Sequence, residues 1–66
     1  MKLTAYHEDF CFMIEEDLPE IGWYLFVYNQ NQSCLFDYLQ NSQELAKEFA
    51  QQEFGVPLSA WNLLEH

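Results

Sequence analysis

The chain has 66 residues, enough for one small domain, and its 11 acidic residues against two basic ones give a formal net charge of −9. Binding to a nucleic-acid backbone or to an anionic membrane depends on lysine and arginine, so this charge argues against both as partners. Half of the residues are apolar and 18% are aromatic, which is enough large apolar surface for folding. The sequence therefore predicts a folded acidic domain. Its charge keeps the domain soluble and attracts basic proteins.

The cysteines and the N-terminal segment indicate the compartment. Cys11 and Cys34 do not form a CxxC motif and are too few for a disulfide-based scaffold. The N-terminus reaches acidic residues before any apolar run, and no apolar stretch approaches the length of a membrane span. We therefore expect a cytoplasmic protein with reduced thiols. Residues 64–66 resemble the start of an affinity tag, so the predicted domain covers 1–63.

Three apolar segments predict strands. The first lies near 9–15, with a start as early as Thr4 left open, and the acidic residues that follow it suit a loop. The second, at 22–29, is aromatic and β-branched, and the third begins at Cys34 after a polar turn. The short polar connection favours an antiparallel hairpin between the second and third strands.

The number of residues in that connection decides which side chains share a sheet face. An even number places Leu25 and Val27 on the same face as Phe36 and Tyr38. An odd number exchanges the partners, because a shift of one residue turns every side chain to the other face. Both arrangements remain open at this level.

The periodicity changes after Asn41, and one apolar stripe predicts an amphipathic helix over about 42–54. The stripe consists of Leu45, Ala46, Phe49, Ala50 and Phe54. Asn41 and Glu44 match a capping box, and Gly55 suits a left-handed C-terminal cap. The three-residue spacing beyond it predicts a short helical turn at Leu58, Trp61 and Leu64. The predicted fold is α+β, a three-stranded antiparallel meander followed by one helix and a short C-terminal helical turn.

Both faces of the predicted sheet carry large apolar side chains, yet one helix covers only one of them. The sequence leaves open whether the uncovered face is that of Tyr24, Phe26 and Tyr28 or that of Trp23, Leu25 and Val27. The uncovered face is then either an exposed interaction surface or is covered by the segment around Trp61 together with the residues before Phe10. Tyrosine is enriched at protein interfaces, and we expect a protein partner or a second copy of the chain at this face. The predicted interaction residues are Tyr24, Phe26, Tyr28, Glu15, Glu16, Asp17 and Trp61.

Residues with catalytic chemistry are few. Cys11 or Cys34 would need a base such as His7 to act as a nucleophile, and a free cysteine in an apolar strand is typically a small hydrophobe. Asp37 is either an acid or base within an apolar strand or an edge-strand charge that prevents aggregation. The acids at 15–20 lack the ligand spacing of a metal site. No catalytic, metal-binding or cofactor-binding residue is predicted.

The order β-β-β-α, with an acidic turn after the first strand and a capped helix after the third, resembles the partial double-stranded-RNA-binding-like domain of HicB-type antitoxins. The residues that carry this resemblance lie at 10–17, 22–28 and 41–50. It implies an acidic inhibitor of a basic RNA-cleaving toxin.

Three function hypotheses follow. The first is a non-enzymatic association domain that forms a homodimer through its sheet. The second is an antitoxin or immunity-type inhibitor whose acidic residues face a basic target. The third is a small enzyme that uses Cys34 or Asp37.

Overall fold

The strands outnumber those that the sequence predicts. The computed structural model describes residues 1–17 and 21–64, in which one helix packs on a five-stranded antiparallel sheet. The strands are β1 (Lys2–His7), β2 (Phe10–Glu16), β3 (Trp23–Tyr28), β4 (Cys34–Gln40) and β5 (Asn62–Leu64). The helix α1 spans Gln43–Phe54, and a short 3₁₀ helix spans Leu58–Ala60. The predicted α+β class and helix are confirmed, whereas the prediction of three strands was wrong.

The strand predicted near 9–15 is confirmed as β2, but the earlier start at Thr4 that the sequence left open belongs to a separate strand, β1, which forms a hairpin with β2. His7 pairs with Phe10, so the turn between β1 and β2 consists only of Glu8 and Asp9. Glu8 has a φ of 56°, as two-residue hairpin turns require at one or both positions. The polar residues at 7–9 therefore mark a turn inside the sheet rather than the start of the fold.

Strand β2 runs further into the acidic segment than predicted. Glu15 and Glu16 are its last two residues and pair with Tyr24 and Trp23 of β3. Glu15 ends the strand as predicted near 9–15, whereas the assignment of Glu16 to a loop was wrong, because β3 holds the extended backbone through Glu16 by ladder pairing. The part of the predicted loop at 18–20 lies outside the described residues.

The sheet order is β4-β3-β2-β1-β5. The first four strands form a meander, and α1 then crosses one face of the sheet so that β5 pairs with β1 at the other edge. The predicted helical turn is confirmed at Leu58, but Leu64 belongs to β5 and pairs with Lys2. The interpretation of residues 64–66 as a tag stays a prediction, and residues 65–66 lie outside the described part of the chain.

The core lies between α1 and one face of the sheet. Its buried residues are Leu3, Ala5, Phe12, Ile14, Leu25, Val27, Ala46, Ala50 and Val56. The helix contributes only the small side chains of Ala46 and Ala50 to this buried set, which lets its backbone approach the strands closely. Phe54 packs on Phe12 at a ring-centroid distance of 5.4 Å. Leu45, predicted on the apolar stripe, is 43% exposed, so its assignment to the stripe was wrong.

The N-terminal cap of α1 differs from the prediction, whereas its C-terminal cap agrees with it. Ser42, not Asn41, is the N-cap, and its hydroxyl accepts a hydrogen bond of 3.1 Å from the Leu45 N–H. The predicted cap at Gly55 is confirmed by a φ of 75° and by its N–H donating to the carbonyls of Ala50 and Gln51. Both ends therefore stop the helix by the usual local hydrogen bonds.

The β3–β4 hairpin combines the two register alternatives. Five residues separate Tyr28 from its partner Cys34, an odd number, but a bulge shifts the register between Val27 and Tyr28. Beyond the bulge Val27 pairs with Phe36, as the even alternative predicts. One extra residue on β4 causes this shift of register. Cys34 alone therefore lies on the face opposite to the one that the even alternative predicts for it.

Candidate functional site

The sheet face opposite α1, here called the open face, is a grid of side chains in three rows. Directly paired residues of antiparallel strands point to the same side of the sheet, so the strand register defines each row. The first row is Tyr6, Cys11, Tyr28 and Cys34; the second is Asn62, Thr4, Met13, Phe26 and Asp37; the third is Leu64, Lys2, Glu15, Tyr24 and Leu39.

Nothing in the described chain packs over this face. Each residue of the three rows is half-buried or exposed, whereas the core residues on the helix side, such as Phe12 and Leu25, are fully buried. The helix contacts β2, β3 and β4 from the core side, and the 3₁₀ helix contacts β1 and α1. The face is held rigidly by the sheet beneath it and is open to a partner.

An aromatic stripe runs along β3 on the open face. The rings of Tyr24 and Phe26 are stacked with centroids 5.6 Å apart, and the rings of Phe26 and Tyr28 follow at 6.3 Å. These residues were predicted as interaction residues, and the structure places all three on the same uncovered face. Met13 and Leu39 extend the apolar surface to either side of the stripe.

Carboxylates border the stripe at both ends and along one edge. Glu15 lies beside Tyr24, and a small cavity of about 230 Å³ is lined by Glu15, Asp17 and Phe26, among others. Lys2 contacts Glu15 through an Nζ–Oε1 distance of 3.8 Å. Lys2 is the one lysine or arginine in the three rows, so the charge around the stripe is predominantly negative.

The opposite end of the face holds a larger cavity of about 550 Å³. The walls include Tyr6 and Tyr28, and the acidic turn residues Glu8 and Asp9 form part of the rim. No lysine, arginine or histidine is among its lining residues. Tyr6, which is 74% exposed, escaped the sequence prediction. The signal for it was the alternation of polar and apolar residues over 2–6, which is typical of a half-buried strand.

Two of the predicted interaction residues lie away from the open face. Trp61 packs against the core on the helix side, and its indole nitrogen is buried without a hydrogen-bond partner. Glu16 pairs with Trp23 in a row of the helix side, although at the end of β2 it also lines the smaller cavity beside Glu15. The segment around Trp61 therefore does not cover the open face, and the alternative in which it does so was wrong.

The residues considered for catalysis do not converge. Cys11 and Asp37 lie in rows of the open face, whereas His7 lies on the helix side, where its Nε2 is 3.5 Å from the position of a Cβ built on Gly55. Asp37 is exposed on β4, an edge strand, which is the placement predicted for a charge that prevents aggregation.

The two cysteines flank Tyr28 in the first row. Strands two positions apart are separated by about 10 Å, which is beyond the ~7 Å limit for a disulfide between Cα atoms. Burial raises the pKa of the Tyr28 phenol above its ordinary value of 10.0, and the neighbouring Cys34, Glu15 and Cys11 raise it further. The phenol is therefore neutral near pH 7.

Within 1–17 and 21–64, no group of three or more His, Cys, Asp or Glu side chains is placed to hold a metal ion. The helices in the same ranges are all too short or too polar to cross a membrane. No family model, curated protein or solved structure matches the chain.

Proposed function

We propose that this chain is a non-enzymatic association domain that binds a basic protein through its open face. The observation that carries the proposal is the uncovered aromatic stripe of Tyr24, Phe26 and Tyr28. Exposed apolar patches framed by polar residues are typical of interaction surfaces, and aromatic side chains dominate their binding energy. The sheet beneath the stripe keeps it in place, so little entropy is lost on binding.

The charges around the stripe favour a basic partner. Glu8 and Asp9 border one end of the open face, Glu15 and Asp17 the other, and Asp37 lies on the β4 side. Lysine and arginine side chains on a partner would meet carboxylates along this border, and at Glu15 they would compete with Lys2. Complementary charge of this kind accelerates association and suppresses partners of the wrong sign. The resemblance to HicB-type antitoxins implies an acidic inhibitor of a basic toxin, and such an inhibitor would bind a basic partner of this kind.

A second copy of the chain is the other occupant that the sequence suggests. Two copies joined through their open faces would bury both aromatic stripes. Because both ends of the stripe are acidic, they would also bring carboxylates of the two chains together, and each chain carries a net charge of −9. Like charges across an interface oppose binding, so the arrangement favours a basic partner over a homodimer.

Photo-cross-linking from two positions tests the proposal. A benzophenone amino acid replaces Phe26 on the open face in one variant and Leu45 in the other. Leu45 is the matched control because it is 43% exposed but lies on the helix. Both labelled proteins are irradiated in native lysate, first at about 0.1 M salt and then at about 1 M, where the Debye length falls from ~10 Å to ~3 Å.

We expect adducts with basic proteins from position 26 only, and fewer of them at high salt. An adduct with a second copy of the chain would indicate a homodimer instead of a basic partner and would contradict the proposal. Equal adducts from positions 26 and 45, or adducts from neither, would contradict the use of the open face.

A further inference from the structure

The first row of the open face has the geometry of a slot, here called the tyrosine slot, with Tyr6 and Tyr28 as walls and Cys11 as floor. Tyr6 pairs with Cys11 and Cys11 pairs with Tyr28, so the two tyrosines lie on either side of a much smaller side chain. Strands two positions apart are about 10 Å from each other. A planar group between two rings needs roughly 7–8 Å, two van der Waals contacts of ~3.5–4.0 Å each. The slot is therefore wide enough for one planar group.

The rim of the slot is acidic. Glu8 and Asp9 form the turn between β1 and β2, and both line the same cavity as the two tyrosines. Glu8 also lies 4.0 Å from the Nε2 atom of His7 on the helix side, and its side chain is 74% exposed. Lysine, arginine and histidine are absent from the cavity lining, so a cation from outside would compete for Glu8 with His7, which lies outside the cavity.

The two tyrosine rings complement the same kind of ligand. A cation above the face of a tyrosine ring is attracted by the π-electrons, and arginine does this more often than lysine because its guanidinium is planar and stacks. One wall of the slot, Tyr6, makes no ring contact with another described aromatic residue.

We propose that the tyrosine slot binds an arginine side chain of the partner, with the guanidinium between Tyr6 and Tyr28 and paired with a carboxylate of Glu8 or Asp9. The inference deepens the proposed function and rests on it, since it assigns the contact that one arginine of the basic partner makes.

Peptide titration of the purified full chain tests the slot directly. The probes are three capped tripeptides, Gly-Arg-Gly, Gly-Lys-Gly and Gly-citrulline-Gly, followed by NMR of the isotope-labelled protein. Citrulline keeps the shape of arginine without its charge. We expect saturable chemical-shift changes at Cys11, Met13 and Tyr28. The citrulline peptide should bind at least about tenfold more weakly than the arginine peptide, with the lysine peptide in between, because a planar cation is attracted by both the rings and the carboxylates.

Two variants separate the slot from general attraction to an acidic protein. Tyr6→Leu removes an exposed wall, and we expect two- to fivefold weaker arginine binding, the loss of about one cation–π contact. Glu8→Asn removes a charge with a residue that tolerates positive φ, so the fold is kept and the same two- to fivefold loss is expected. Phe36→Leu is the matched control, because Phe36 is an aromatic residue that is 47% exposed but pairs with Val27 on the helix side, and it should leave arginine binding unchanged.

Equal binding of arginine and citrulline, or shifts that map to the Tyr24 end of the face, would overturn the slot. So would unchanged binding in both Tyr6→Leu and Glu8→Asn. Cross-linking from position 26 does not depend on the slot. A positive cross-linking result with no arginine binding therefore refutes this inference alone, whereas failure of cross-linking refutes the proposed function.

Discussion

Replacing Gly22 by alanine is expected to be the most damaging single-methyl change in the chain. Gly22 is buried, precedes β3 and has a φ of 121°, a region that side chains rarely adopt. A Cβ at this position would lie 2.4 Å from the backbone oxygen of Gln40. That oxygen cannot rotate away, because Gln40 pairs with Trp23 in the β3–β4 ladder.

The cost has two parts. Backbone strain at such a φ costs about 1–3 kcal/mol, and displacing a packed backbone costs about 1–3 kcal/mol more. Together they give roughly 2–6 kcal/mol, which is comparable with the ~3–10 kcal/mol expected for the whole free energy of unfolding of a domain this small. We therefore expect Gly22→Ala to be largely unfolded, or to survive with a small fraction of the normal stability.

Gly55→Ala is the matched control for this prediction. Its φ of 75° is also left-handed, but a Cβ there would meet only His7 Nε2 at 3.5 Å, an ordinary contact. The expected cost is then the left-handed backbone alone, about 1–2 kcal/mol. Urea unfolding followed by circular dichroism and tryptophan fluorescence gives both values. A loss for Gly22→Ala no larger than that for Gly55→Ala would refute the close approach of Gly22 to Gln40.

Two further predictions concern the helix cap and the open face. Ser42→Ala should lower the free energy of unfolding by about 1 kcal/mol, because the Ser42 hydroxyl accepts a hydrogen bond from the Leu45 N–H. Asn41→Ala is the control and should have little effect. Equal losses of stability in urea unfolding would contradict Ser42 as the cap. The folded-state pKa of Tyr28 is raised, so its contribution to stability is present below its unfolded pKa near 10 and is lost as pH rises through the folded value. Wild type should therefore lose more stability than Tyr28→Phe between about pH 8 and about pH 11, and parallel losses in urea midpoints would contradict burial of this phenol.

The helix was predictable because its signals are local. Apolar spacing and Gly55 fix its extent and its end, and the structure has it at Gln43–Phe54. The predicted N-cap was wrong by one residue, because Asn41 and Ser42 are both good N-caps and only their position in the tertiary structure decides between them. Leu45 lies at the margin of the apolar stripe and is 43% exposed, and apolar spacing alone does not show how far the sheet extends beneath a helix.

The strands at the two ends of the chain were harder to predict for a different reason. Lys2–His7 alternates polar and apolar residues, but it is short and contains Ala5, a weak strand former. Asn62–Leu64 is a strand only because β1 offers it an edge, 60 residues away in the sequence. Pairing between distant segments leaves no local pattern, so the sequence predicts the meander better than the complete sheet.

The open face was predictable in part. Tyr24, Phe26 and Tyr28 were placed on one face by their alternation alone, because the two-residue period of a strand needs no partner. Tyr6 and the acidic turn could not be joined to them from the sequence. Their contact depends on the register of β1 on β2 and of β2 on β3, in which Cys11 lies between the two tyrosines. The slot is therefore a property of the sheet rather than of any one segment.

The edge strand β4 bears on which partner the domain accepts. Its seven residues leave one side of the ladder unpaired, and Asp37 lies at the middle position. If two copies paired antiparallel about this centre, the two Asp37 carboxylates would lie directly opposite each other, which is destabilising. A strand with lysine or arginine at that position would instead be stabilised. Edge and open face thus select in the same direction, against a second acidic copy and toward a basic protein.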